Sequence, residues 1–173
     1  MPFSPNSSNF SKFITDQLRN INVTVSRLKL LYRASRDGWE HTDIYRMCDN
    51  KGATVVLVKS TTNHIFGGFA QNSWISPSSQ TWMTDNKAFL FSWNHREIYS
   101  QPRTPTKLSI IVQVGDPCVG SENDLGIYTD CNANNTSYAT MNTTYSTKGR
   151  NRDDITGRNS YRVEECEVWS VME

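Results

Sequence analysis

The chain has 173 residues, 36% of them hydrophobic and 20% charged, and its 18 Lys+Arg against 17 Asp+Glu give a formal net charge of +1. That length suits one domain with its own core, and so even a charge balance sets up no overall field toward nucleic acid or an anionic membrane. No apolar run is long enough to cross a bilayer and the polar start, 1–9, lacks a signal-peptide core, so the expectation is a cytoplasmic protein without direct membrane insertion.

Phe10, Phe13, Ile14 and Leu18 share one face at helical spacing, with Ser8 or Asn9 to cap the start, and predict an amphipathic helix. Val25, Leu28, Leu31, Tyr32 and Ser35 continue a helical period and predict a second helix that stops at Asp37-Gly38. A helical turn is expected from Asp43 to Met47. The β-branched run ATVVLVK, 53–59, then predicts a strand buried on both faces. Thr61-Thr62-Asn63 supplies turn chemistry, and 64–70 completes a hairpin.

Further strands are expected at 88–93, 107–114, 125–129 and 161–171. In the last of these the apolar set shifts from Val163 to Cys166, Val168 and Trp169, which predicts a bulge or an irregular edge. The connections 71–87, 94–106 and 130–160 are long for a compact domain, a mark of functional or disordered loops. Helices first and strands afterwards argue for α+β with an antiparallel sheet or sandwich, one unit over 1–173, helical at 1–36 and mainly β at 53–173.

Gly67-Gly68 lie inside a strand pattern without the Lys-Ser/Thr and helix start of a phosphate loop. They read as a bend, or as room for Trp39 or another aromatic over the backbone. Cys48, Cys118, Cys131 and Cys166 form no CxxC pair, which disfavours a zinc knuckle or a thioredoxin-type motif. Cys48 beside Asp49 makes a nucleophile only if the fold brings it to His41, His64 or His95, and a packed thiol is the commoner reading for Cys48 and Cys166. Cys118 and Cys131 flank a loop-strand unit and are the candidates for oxidation-sensitive thiols.

Glu164, Glu165 and Glu167, with Asp124 and Asp130, either bind a cation, act as acid and base, or guard an edge strand against unwanted pairing, the last being the commoner case. The charges Lys148, Arg150, Arg152, Asp153, Asp154 and Arg158 read as a solvated loop. Trp74 and Trp82, in SWISPSSQTW, either anchor a partner or pin their own loop. No catalytic set, cofactor or metal site is assigned.

The order of LLYRASRDGW at 30–39, CDNKG at 48–52, FGGFA at 66–70, AFLFSW at 88–93, GDPCVG at 115–120, DLGIYTDCNANNTSY at 124–138 and VEECEVWSV at 163–171 resembles the TLDc family over nearly the whole chain. CNANNTSY looks more like the protist members than the animal oxidation-resistance proteins, whose corresponding loop is glycine-rich, and GSEND at 120–124 departs from that loop.

The resemblance implies a sandwich of two antiparallel β-sheets flanked by short helices on the N-terminal side. Trp39, Cys48, Gly67, Gly68, Glu167 and Trp169 would be its structural signature positions. It further implies a protein-interaction and regulatory domain linked to oxidative-stress resistance, binding peripheral subunits of the vacuolar proton-pumping ATPase and reaching an organelle membrane through that partner. Two other classes compete. A redox or hydrolytic enzyme predicts a cleft where a cysteine or carboxylate meets a histidine, and a structural subunit predicts a large apolar interface.

Overall fold

The computed structural model describes residues 8–75, 81–83, 85–100, 110–113, 116–119, 124–139 and 145–173, and within them two antiparallel sheets form the frame. The first runs in the order β1 (Arg27–Arg33), β12 (Val163–Met172), β2 (Thr54–Ser60), β3 (Ile65–Ala70), β5 (Phe89–Ser92) and β6 (Glu97–Ser100). The second runs β11 (Ser160–Tyr161), β10 (Ser137–Ala139), β9 (Leu125–Gly126), β8 (Asp116–Val119), β7 (Ile110–Gln113) and β4 (Thr81–Met83). Four helices join them: α1 (Ser8–Asn20), α2 (Ala34–Asp37), α3 (His41–Cys48) and α4 (Arg152–Thr156). This is the α+β sandwich that the sequence and the resemblance led us to expect.

Alternation along β2 explains why its apolar run is unbroken. Val56 and Val58 enter an inner core with Phe66, Leu90 and Tyr32 from the first sheet, Leu125, Ala139 and Tyr161 from the second, and Ile44 of α3. The Phe66 and Tyr161 rings meet edge to face across the sheets, centroids 5.1 Å apart. Val55 and Leu57 point the other way, into a second core with Phe69, Phe89 and Phe91, roofed by Phe10, Ile14 and Leu18 of α1. Each α1 side chain so buried contributes roughly 2 kcal/mol, which holds a helix of this length that would be marginal alone.

Gly67 lies under that roof, paired with Leu57 and Phe91. A Cβ there would stand 1.9 Å from the Val56 carbonyl oxygen and 2.9 Å from Phe91 Cζ. The glycine therefore permits close approach of backbone and ring, and the ring is that of Phe91, not Trp39.

Three expectations need correction. The second helix at 25–35 is the strand β1 followed by the single turn α2, because Leu28 and Leu30 alternate with Arg27 and Lys29 and pair with β12, near the other end of the chain. The last strand is no edge: β12 lies between β1 and β2, and its predicted irregularity is the register shift between Val163 and Glu165. The connections 94–106 and 130–160 contain β6, β10 and α4, and β4 stands in 71–87. Of the expected strand 107–114, the described residues hold 110–113.

Candidate functional site

Of the expected signature positions, Glu167 and Trp169 lie on β12 where it meets β1 and α2, whereas Cys48 ends α3 and Gly67 and Gly68 lie in β3 between β2 and β5. β12 places Glu167 opposite Arg33 of β1. The Glu167 side chain is fully buried; its Oε1 accepts from Arg33 Nε at 2.7 Å and its Oε2 accepts from Trp169 Nε1 at 3.0 Å. Burial raises its carboxyl above the ordinary glutamate range, while the hydrogen bonds from Arg33 and Trp169 pull the other way. Glu165, on the other side of Cys166, accepts the Ser35 amide at 3.1 Å and the Ser35 hydroxyl, fastening α2 to the sheet.

Glu164 faces outward and pairs with Lys59 of β2 at 2.5 Å. The acidic run therefore clamps three elements, and the edge-guarding explanation fails because the strand is internal. Asp37 completes the junction, its Oδ2 accepting the Arg33 amide at 2.8 Å. The Arg36 guanidinium beside it holds the Asp37 carboxyl below the usual range.

Cys48, Cys131 and Cys166 are free and buried in the inner core. Burial pushes the Cys48 and Cys131 thiols up to about 12, and Cys166 well above its usual value. The Lys51 charge pulls Cys48 the other way without offsetting burial, so these cysteines pack as small apolar groups. The Cys118 side chain lies outside the described ones.

The three histidines are dispersed. His41 Nδ1 meets Thr129 Oγ1 at 2.9 Å, His64 Nδ1 lies 3.1 Å from the Thr62 carbonyl, and His95 Nε2 donates to the Asp154 carbonyl at 2.7 Å. None of these contacts is with a cysteine or a carboxylate. Among the described residues no group of three or more His, Cys, Asp or Glu side chains is arranged to hold a metal ion. Asp124 is buried and Asp130 adopts a left-handed backbone at φ 55°, at the turn where its amide donates to the Trp39 carbonyl.

Of the two loop tryptophans, Trp74 is buried in the inner core and its Nε1 donates to Thr54 Oγ1 at 2.9 Å. That contact pins the 71–75 segment to β2, so a partner could reach Trp74 only if the segment opened. The backbone of Trp82 pairs with Ile111, and its side chain lies outside the described ones. The mixed charges of 148–158 are partly tied down: Arg150 pairs with Glu97, which also accepts from the Tyr99 hydroxyl at 3.2 Å.

Sequence reasoning missed Arg33 as the partner of Glu167, because the two are joined only through the pairing of chain ends. The signal was present in the alternation of Arg27, Leu28, Lys29 and Leu30, which breaks at Leu31 where the register with β12 shifts before Arg33.

Comparison with known proteins places this geometry. The family model described as the TLDc domain matches residues 6–172. A segment of 65 residues is 38% identical to "MTOR-associated protein MEAK7" of Danio rerio and covers 37% of this chain and 14% of that protein. A segment of the same length is 40% identical to "MTOR-associated protein MEAK7" of Gallus gallus, covering 37% of this chain and 13% of that one. The match thus spans only a small part of these relatives. With the family model covering almost every residue, including the β1–β12 junction and both sheets, the chain belongs to the TLDc domain family.

Proposed function

We propose that this chain is a protein-interaction domain that regulates the assembly it binds without catalysing a reaction of its own. The observation carrying the reading is the employment of its chemistry-bearing side chains: buried thiols pack the core, and Glu164, Glu165 and Glu167 each hold a structural partner. A frame so engaged acts through its surface, by favouring the state of a partner that it fits.

The partner proposed from the family resemblance is the peripheral part of the vacuolar proton-pumping ATPase, in a setting of oxidative-stress resistance. The relatives are named as mTOR-associated, so an mTOR-containing assembly is the competing partner. Trp82, whose backbone pairs with Ile111 of β7, is the proposed anchor.

The test is affinity purification of the tagged chain from its own cells, with mass spectrometry of the retained proteins, alongside Trp82→Ala. Enrichment of ATPase peripheral subunits, reduced at least tenfold by Trp82→Ala with an unchanged melting temperature, supports the reading and its anchor. Enrichment of mTOR components instead reassigns the partner. A folded chain that retains nothing and turns over peroxide or an ester overturns the regulatory reading.

A further inference from the structure

We infer that the outer edge of β1, from Arg27 to Leu30, is a docking site for an acidic extended segment of a partner protein, which adds as a strand beside β1. The inference rests on the regulatory reading above and assigns it a surface.

Among the described residues β1 is the last strand of its sheet, with β12 on one side and no strand on the other. A strand in that position offers unpaired amides and carbonyls to any extended chain that approaches in register. The far end of the edge is already closed by α2. Arg36 donates to the Leu31 carbonyl at 3.3 Å, and Asp37 accepts the Arg33 amide at 2.8 Å. The open stretch is therefore Arg27 to Leu30, about 13 Å at the rise of an extended chain, with α2 as a stop that fixes where an added strand must end.

The side chains specify what would add. Arg27 and Lys29 are exposed and alternate with half-buried Leu28 and Leu30. Several other cations near this sheet are paired: Arg33 with Glu167, Arg36 with Asp37, Arg46 with Asp43 and Lys59 with Glu164. Neither Arg27 nor Lys29 has such a partner among the described residues. Two unpaired cations on one face of the edge, with leucines on the other, complement a segment that alternates acidic with aliphatic residues.

Charged edge residues also serve to repel strands, and the experiment separates the two roles. The probe is a fluorescent synthetic heptapeptide with glutamate at alternate positions and valine or threonine between. Its partners are a copy with lysine replacing glutamate and a copy N-methylated at alternate backbone nitrogens. The expected result is saturable binding of the glutamate peptide to the full chain, with amide resonance shifts confined to residues 27–30 and their β12 partners. Arg27→Glu with Lys29→Glu weakens it at least tenfold and binds the lysine peptide instead, and the N-methylated peptide fails to bind.

Equal binding of the N-methylated peptide reduces the contact to ion attraction and overturns the inference. So does failure of the wild-type chain to bind the glutamate peptide, whether or not Arg27→Val with Lys29→Val self-associates as a repelling edge predicts. If the cellular partner is retained in full by the charge-reversed chain, the regulatory reading stands and this edge is not its surface. If peptide binding behaves as expected but cells yield no partner, the edge stands and the regulatory reading falls.

Discussion

At the level of single residues, burial decides what the thiols and acids of this chain can do. A thiol whose pKa stands near 12 exposes about one thiolate in ten thousand molecules at pH 8. Cys48, Cys131 and Cys166 should therefore resist iodoacetamide in the folded chain and react within minutes once it is unfolded in guanidinium, as read by mass spectrometry of the peptides. Rapid labelling of any of the three in the native state would restore a redox role. Glu167 supplies the second prediction. Its carboxyl is raised by burial, so the folded state holds its proton more tightly than the unfolded state does. The stability tied to this group is complete below its unfolded value near 4.5 and is lost as pH climbs through the raised folded value. Glu167→Gln removes that dependence, so denaturant midpoints measured from pH 4 to pH 7 should shift in favour of the variant as pH rises, whereas removing the partner with Arg33→Ala should cost about 3 kcal/mol at pH 7. A gap moving toward the wild type with rising pH would mean that the Arg33 contact, not burial, governs the carboxyl.

At the level of elements, termini and turns carry much of the specification. α1 ends in a Schellman arrangement: the Val23 amide donates to the Leu18 carbonyl at 2.9 Å and the Asn22 amide to the Arg19 carbonyl at 2.9 Å, with Asn22 left-handed at φ 56°. Leu18 and Val23 then meet in the outer core. Asn22→Ala should lower stability by about 1 kcal/mol, a fall in melting temperature of about 2–4 °C, while Asn22→Gly should hold or raise it; equal losses from both would place the effect in the Asn22 side chain. The same features mark how far the elements were legible. α1, α3, β2, β3 and β5 announced themselves through local periodicity and, for the β2–β3 hairpin, through Asn63, left-handed at φ 63°. β6 was hidden because the left-handed position of its turn is filled by Arg96, φ 55°, whose guanidinium lies over Trp93, where a glycine or asparagine would have signalled a hairpin. β8 was hidden by Pro117, which cannot donate to a ladder yet stands in a strand paired on both sides. β1 was misread because RLKLLYR fits two periods, and the choice between them is made by β12, not by its neighbours in sequence.

At the level of the whole molecule, that last dependence becomes a rule of assembly. β12 pairs with β1 through Leu28 and Val171 and with β2 through Val56 and Val168, so the final strand fills a slot between the first and second strands of the chain. Its residues serve both sides of the sheet: Val163, Cys166 and Val168 enter the inner core, while Val171 reaches the outer core beneath α1. Until β12 arrives, β1 has no strand beside it among the described residues, Arg33 has no Glu167, and neither core is closed. Contacts between residues nearly a chain length apart are slow to form, because the loop entropy is lost before the contacts compensate it. Refolding should accordingly take milliseconds to seconds. A chain ending at residue 162 should lack a cooperative thermal transition and bind a hydrophobic dye, since its central sheet is split. Adding a synthetic peptide of residues 160–173 in trans should restore the transition and release the dye, with an affinity that collapses when Val168→Asp is built into the peptide. A truncated chain that melts cooperatively on its own would show that β1 is held by α2, α3 and the inner core, and that β12 closes a fold already made.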